Sequence, residues 1–374
     1  MLRARALLGF AAFGVFWGTW GAALPAVQSR AGVDDGELGL ALVLVGVGAL
    51  VSMRATGVLI DRSGRTLTPL AVALFGAAGI LPALAGSPGE LYVFLLLLGA
   101  ASGAMDVTIN ADAVWAERRS GRALLNLAHA CFSGAVVVAS LGTGALRAAD
   151  AGAGVVFALS AALIVAAAIA IAAGREPRER VATAVRPRLL QRIPLWLALL
   201  GVLGAAAYWI ENAWQSWGAV HLERTLEVPA ATSALAPALF AAAMAAGRLG
   251  VHLFARPGAE RAVLVAGAAV AGAGSTVAAL ASSAPVVLAG ILVAGAGCSV
   301  CAPTIVSVAG RAAGPNERGT VIGSLTTLMY LGFLVGPAAV GGVAEATSLP
   351  ASLAAVAGLA FLLSLAFSVV RLPR

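Results

Sequence analysis

Asp106 and Asn110 stand four residues apart in a stretch that is otherwise almost wholly apolar, and Asn126, His129 and Ser133 follow in the next such stretch. Separations of three, four and seven place side chains on one helical face, so each set forms a polar stripe. A carboxylate can hold or release a proton, an imidazole does so near neutral pH, and a carboxamide can hydrogen-bond either form. At ~1.5 Å of rise per residue, Asp106 and His129 each lie about 10 Å from the basic turn Glu117–Arg122 that joins the two stretches. The matched depth predicts a proton-responsive pair, with Asp106 as acceptor, His129 tuning it and Asn110 beside it. Ionisable groups in hydrocarbon cost about 2.5–3.5 kcal/mol each on the insertion scale, so their presence asks for a function.

A second constellation runs through Tyr208, Trp209, Glu211, Asn212, Trp214, Gln215 and Trp217. A carboxylate among amides and aromatic rings suits a hydroxylated or cationic small molecule, held by hydrogen bonds and by stacking or cation–π contact. Glu211, Asn212, Gln215 and Tyr208 are the expected substrate contacts here. Asn126 joins them from its stripe. Trp217, near the end of its run, is expected in an interfacial aromatic belt instead. Asp112 is expected as an interfacial charge.

The elements that position these groups follow from composition. The chain has 374 residues, of which 60% are hydrophobic and only 11% charged, with a mean hydropathy of +0.96. A soluble protein carries about 25% charged residues. Apolar runs of membrane-spanning length recur from end to end, near 6–28, 38–60, 67–86, 91–115, 123–146, 151–173, 194–220, 232–254, 262–281, 285–309, 320–343 and 349–370. The expected fold is an all-α membrane protein of twelve transmembrane helices. The run after Met1 is too long for a typical signal-peptide core and reads as the first span.

Charge placement orients the chain. Arg3, Arg5, Arg62, Arg65, Arg118, Arg119, Arg122, Arg256, Arg261, Arg311, Arg318, Arg371 and Arg374 fall on one side, with Arg30, Arg147 and Arg224 on the other. The positive-inside rule makes both termini cytoplasmic. It also accounts for the net charge of +7, so no nucleic acid is expected as a partner; no basic face joins these arginines. Cys131, Cys298 and Cys301 all sit in apolar runs, and an odd number there is no disulfide framework. They are expected as small buried hydrophobes, C-x-x-C spacing notwithstanding. No metal or other cofactor is implied.

The arginine-rich stretch 175–192, with Pro177 and Pro187, divides the chain into a bundle over 1–174 and another over 193–374. The halves repeat weakly. Arg54 falls on Arg248, Gly64 on Gly258, Gly99 on Gly295, Gly121 on Gly319, Gly134 on Gly332 and Gly144 on Gly342. Two six-helix pseudo-repeat bundles are therefore expected, with a binding site between them. Asp106, Asn110 and His129 align with Ala302, Val306 and Thr327. Polar groups present in one half only are not needed to build the bundle, which favours a functional role over a structural one. Arg54 and Arg248, present in both, are expected to share a structural role, within snorkelling reach of the inner interface. Gly14/Gly18, Gly99/Gly103 and Gly332/Gly336 are expected to let helices approach closely.

Between the second and third runs the chain reads Gly57-Val-Leu-Ile-Asp61-Arg62-Ser-Gly64-Arg65. This resembles the G-x-L-x-D-R-x-G-R loop of the major facilitator superfamily. The matching place in the second half keeps Arg256 and Gly258 but has Ala255 instead of the acid. Gly103-Ala-Met-Asp106-Val-Thr-Ile-Asn110, Glu117-Arg118-Arg119-Ser-Gly121-Arg122, Glu211 with Trp214 and Trp217, and Leu331-Gly332-Phe-Leu-Val-Gly336-Pro337 resemble a bacterial branch near the fucose permease. The resemblance implies a secondary transporter of the bacterial cytoplasmic membrane, surrounded by lipid and monomeric, that moves a small molecule by alternating access. It implies a gating role for Gly57, Asp61, Arg62, Gly64 and Arg65, with Arg54 and Arg248 nearby, and it places Phe13 and Trp17 across a cavity from Glu211.

Proton-coupled uptake of a sugar-like or other hydrophilic solute is the expected activity. Drug or metabolite export is the alternative, weakened because the exporter pattern G-P-x-x-x-G-G is absent from the fifth helix. No Walker loop is present for ATP-driven transport. An intramembrane enzyme lacks H-E-x-x-H and G-x-S-x-G, and its three histidines lie on separate segments. A membrane sensor would differ from a transporter by showing no saturable solute flux.

Overall fold

The computed structural model describes residues 2–63, 67–121, 124–174, 193–254, 258–314 and 317–373, and every regular element among them is helical. The helices are α1 (Leu2–Ala31), α2 (Asp35–Ser63), α3 (Leu67–Ala78), α4 (Pro88–Ser120), α5 (Leu125–Ala148), α6 (Ala153–Ala173), α7 (Leu195–Val220), α8 (Ala230–Ser233), α9 (Leu235–Phe254), α10 (Glu260–Leu280), α11 (Ala284–Cys298), α12 (Cys301–Ala312), α13 (Arg318–Ala346) and α14 (Leu349–Val369). They make 12 spans long and apolar enough to cross a membrane. The span count and positions agree with the apolar runs. The spans themselves are not all single helices. α3 gives way to a 3-10 turn over Leu81–Leu84, α7 continues into a π turn over His221–Thr225, and α8–α9 and α11–α12 are each one span in two pieces.

Local sequence explains the ends. Asp34 and Glu37 cap α2 reciprocally, each side chain accepting from the other's backbone N–H at 2.7 and 3.2 Å. Ser87 and Ser348 cap α4 and α14 with a proline just inside each helix. Gly121 ends α4 at φ 64, a left-handed conformation that glycine adopts without strain. The Glu117 carboxylate then accepts from the backbone N–H groups of Leu124 and Leu125, two orphan donors where α5 begins.

The chain forms two compact units. One contains α1 to α6 with Pro229–Ala238; the other contains α7 and the helices from Leu239 onward. The linker 175–192 lies outside the described residues. Water cannot satisfy backbone groups in hydrocarbon, and helices there associate by close packing over small residues. In the first unit Gly14 and Gly18 of α1 lie against the Phe132 and Val136 carbonyls of α5, and Gly99 and Gly103 of α4 against Val45 and Ala49 of α2. In the second, Gly332 of α13 abuts the Ala205 carbonyl of α7, Gly336 the Trp209 ring, and Gly274 and Gly290 bring α10 onto α11.

The glycine repeat is only partly a packing repeat. Gly99 and its match Gly295 are both tightly packed, but Gly134 has open space where Gly332 is crowded, and Gly342 has open space where Gly144 meets Ala234. Correspondence in sequence thus reports the helix plan, while crowding is decided contact by contact.

Candidate functional site

In the first unit, Asp106 and Asn110 lie on α4, on the face that Gly99 and Gly103 begin, because 99, 103, 106 and 110 follow one helical stripe. The Asn110 Nδ2 donates to the Asp106 Oδ1 at 3.1 Å and to its backbone carbonyl at 2.9 Å. The carboxylate is therefore engaged by its own helix, with an acceptor lone pair to spare. His129, on α5, sets its ring edge-on to Phe10 of α1, centroids 4.9 Å apart. Asn110 thus positions the one group, and Phe10 flanks the other.

Asp112 is not an interfacial charge. It is 1% exposed and takes a 3.0 Å ion pair from the Arg5 Nε, joining α4 to α1. The sequence showed both residues but no spacing that links them, since they are 107 positions apart. A buried carboxylate keeps its charge only with such a partner.

Phe13 and Trp17 belong to an aromatic cluster that also holds Phe16, Trp20, Phe75, Phe132 and Phe157. Phe13 and Trp17 are half-buried, whereas Phe16 is fully enclosed. Arg54, on α2, is exposed and has no hydrogen-bond or ion-pair partner among the described residues. A Cβ at Gly57 would meet no atom of the described residues within 4 Å. Gly64 and Arg65 lie outside the described residues, as do the side chains of Asp61, Arg62 and Asn126.

In the second unit, Glu211 of α7 is 8% exposed. Its Oε1 accepts from the Gln215 Nε2 at 3.0 Å, the same carboxylate-to-carboxamide arrangement, one turn apart, as Asp106 with Asn110. Asn212 accepts from the Ser216 hydroxyl at 3.3 Å. The ring of Tyr208 packs on Phe333 at 4.5 Å and on Tyr330 at 5.8 Å, a half-buried trio shared by α7 and α13. Tyr330 and Phe333 were not singled out from sequence. Their spacing of three on the Gly332–Gly336 helix was the available signal.

Trp217 is fully buried, so it is no part of an interfacial belt; its indole N–H, like that of Trp209, has no hydrogen-bond partner among the described residues. Trp214 instead donates to the Ser275 hydroxyl of α10 at 2.8 Å. Cys298 and Cys301 are buried, as expected, while Cys131 is only half-buried.

Arg248 also departs from expectation. Its Nε donates to the backbone carbonyl of Ser299 at 3.3 Å, in the gap between α11 and α12. Its Nε thereby ties α9 to the junction of α11 and α12, a contact that Arg54 does not have. It is exposed within a span, where a guanidinium needs water or a polar partner. Among the described residues no group of three His, Cys, Asp or Glu is placed to hold a metal ion.

Twelve apolar spans in two units, with carboxylates and arginines set inside the spans, define a multi-pass membrane protein of transporter type. A family model described as Major Facilitator Superfamily matches residues 6–262 and 251–374, and the chain belongs to that family. It is 30% identical over 358 residues to an uncharacterized MFS-type transporter of Yersinia pestis, covering 94% of this chain and 91% of that one. It is 26% identical to membrane protein MosC of Rhizobium meliloti, covering 90% of this chain and 82% of that one. Among solved structures, a variant of the nucleoside transporter NupG superposes with a TM-score of 0.84 at 13% identity, covering 98% of this chain and 99% of that one. A D-xylose-proton symporter does so with a TM-score of 0.77 at 13% identity, covering 100% of this chain and 98% of that one. At such identities the structural likeness carries the fold alone.

Proposed function

We propose that this transporter takes up a sugar-like or other hydrophilic solute across the bacterial cytoplasmic membrane, coupled to protons, with both termini inside. Its branch is that of the fucose-permease-like permeases, and the functional bundles are 1–174 and 193–374, joined by the linker 175–192. One observation carries the reading. Each unit holds, within a span, a carboxylate whose oxygen accepts from a carboxamide one turn along the same helix: Asp106 with Asn110 and Glu211 with Gln215. A carboxylate held this way can be protonated without losing its place, because the amide stays bound to either form.

In this reading Asp106 accepts the coupling proton, with His129 and Asn110 beside it. Glu211, Gln215, Asn212, Tyr208 and Asn126 bind the solute by hydrogen bonds, with Phe13 and Trp17 offering ring faces. Gly57, Asp61, Arg62, Gly64 and Arg65 form the inner gate with Arg54 and Arg248. A sugar-proton symporter and a nucleoside transporter among the structural neighbours are compatible with a hydroxylated solute. The orientation rests on the arginine bias of the loops.

The test begins with a thermal-shift panel of neutral sugars, sugar acids, nucleosides, amino acids and organic cations on the purified chain. A hydroxylated compound should stabilise the protein, and Glu211→Gln should weaken that shift. In proteoliposomes holding a pH dye, the same compound should drive proton uptake that Asp106→Asn abolishes while counterflow persists. Undiminished proton uptake in Asp106→Asn would falsify the coupling role.

A further inference from the structure

The span Ala284–Ala312 is interrupted at Ser299 and Val300, between α11 and α12. The cause lies four residues on. Pro303 has no N–H, so the carbonyl of Ser299, which residue 303 would serve in a continuous helix, is left without its donor. No backbone N–H among the described residues donates to it. An unsatisfied carbonyl inside a membrane costs several kcal/mol, so such breaks persist only where side chains or water supply the bond.

Here side chains do so. The Ser299 hydroxyl donates to the Ala296 carbonyl at 2.7 Å, and the Cys301 thiol to the Gly297 carbonyl at 3.7 Å. The Ser299 carbonyl itself receives the Arg248 Nε at 3.3 Å. The approach is close because Gly247, next to Arg248, leaves room for Ser299; a Cβ there would collide with the Ser299 hydroxyl. Ser299 is fully buried, and Cys298 and Cys301, which flank the break, are 5% and 2% exposed.

The first unit supplies a control. Arg54 occupies the place of Arg248, but Val107, at the place of Pro303, has its amide, and α4 runs unbroken from Pro88 to Ser120. Arg54 accordingly has no carbonyl to serve and is partnerless among the described residues. Glu211, on α7 of the same unit and 8% exposed, carries the opposite charge and is the acid that would compete for the Arg248 guanidinium.

We propose that Arg248 is a latch: it supplies to Ser299 the hydrogen bond that Pro303 cannot, holding the α11–α12 break closed, and moving its guanidinium towards Glu211 opens the break. It is a positioning residue for α12 in the transport cycle. This goes beyond the uptake reading and does not depend on the solute's identity.

The native thiols beside the break report its opening. In a Cys131→Ser background only Cys298 and Cys301 remain, and their reaction with a small maleimide is followed by mass spectrometry on the full-length chain in nanodiscs. Losing a hydrogen bond from a charged donor should raise the labelling rate about tenfold in Arg248→Gln. Adding Pro303→Ala, which restores the missing N–H, should return the rate to that of the parent. Glu211→Gln, which removes the competitor, should slow labelling. Should Arg248→Gln not fold, Arg248→Lys with and without Pro303→Ala is compared, with the same order expected. Parental labelling in the Arg248 variant, a double variant as reactive as the single, or no slowing in Glu211→Gln each overturns the latch.

Discussion

The Arg5–Asp112 pair gives the sharpest test of how the first unit holds its polar residues. The Asp112 side chain is 2% exposed and that of Arg5 11%, with a 3.0 Å contact between Nε and Oδ2. Removing one partner of a buried pair typically costs about 3–5 kcal/mol, because the other charge is stranded, whereas neutral replacement of both is often nearly neutral. Arg5 retains some contact with solvent, which favours the lower end, about 3 kcal/mol, for Arg5→Gln. Asp112→Asn takes this carboxylate away from the arginine instead, and its long side chain can withdraw towards water, so the loss should be smaller, about 1–2 kcal/mol. The double variant Arg5→Gln/Asp112→Asn should lie closer to the parent than Arg5→Gln does. Unfolding in detergent, followed by tryptophan fluorescence through an SDS titration, gives all four corners of the cycle. Equal stability of Arg5→Gln and the double variant would refute the reasoning, since it would mean that the buried Asp112 charge loses nothing when this partner is removed.

Two further outcomes follow from crowding and capping. Gly99→Leu places side-chain atoms on the Val45 carbonyl of α2 and should destabilise by at least about 1–3 kcal/mol, while Gly134→Ala, in open space within α5, should be neutral or stabilise by up to about 1 kcal/mol. The same SDS titration separates them, and an equal loss at both sites would contradict the packing described. Glu117→Ala leaves the Leu124 and Leu125 amides at the start of α5 uncapped and should cost about 1 kcal/mol, with faster backbone hydrogen exchange confined to that first turn. Exchange unchanged at Leu124 and Leu125 would show that the cap contributes nothing.

The span plan was legible because membrane insertion is read from composition over some twenty residues at a time, and none of the twelve apolar runs was misplaced by more than a few residues. The i to i+4 pairs were legible for a similar reason: helical geometry alone sets Asn110 against Asp106 and Gln215 against Glu211. Beyond the close approaches at the glycine pairs, which side chains meet between helices was not legible. Nothing in the local sequence distinguishes Trp217, which is enclosed, from a tryptophan at a lipid interface, because both stand near the end of an apolar run. Asp112 likewise looks like an interfacial acid until α1 is packed against α4 and brings Arg5 to it.

Arg54 and Arg248 show where reasoning from the repeat reaches its limit, and why. The repeat matches residue with residue, and from that match a shared role follows. The role of an arginine inside a span, however, is set by the acceptor it meets, and the acceptor belongs to another helix. Opposite Arg248 that helix carries Pro303, which strands the Ser299 carbonyl; opposite Arg54 the equivalent helix carries Val107 and strands nothing. One proline therefore gives two identical side chains different work. The signal was in the sequence, as a proline in the middle of an apolar run of 29 residues, and its meaning lay four residues back. Where the halves of a duplicated transporter differ by a mid-span proline, the polar group on the neighbouring helix is the one whose role should be expected to diverge.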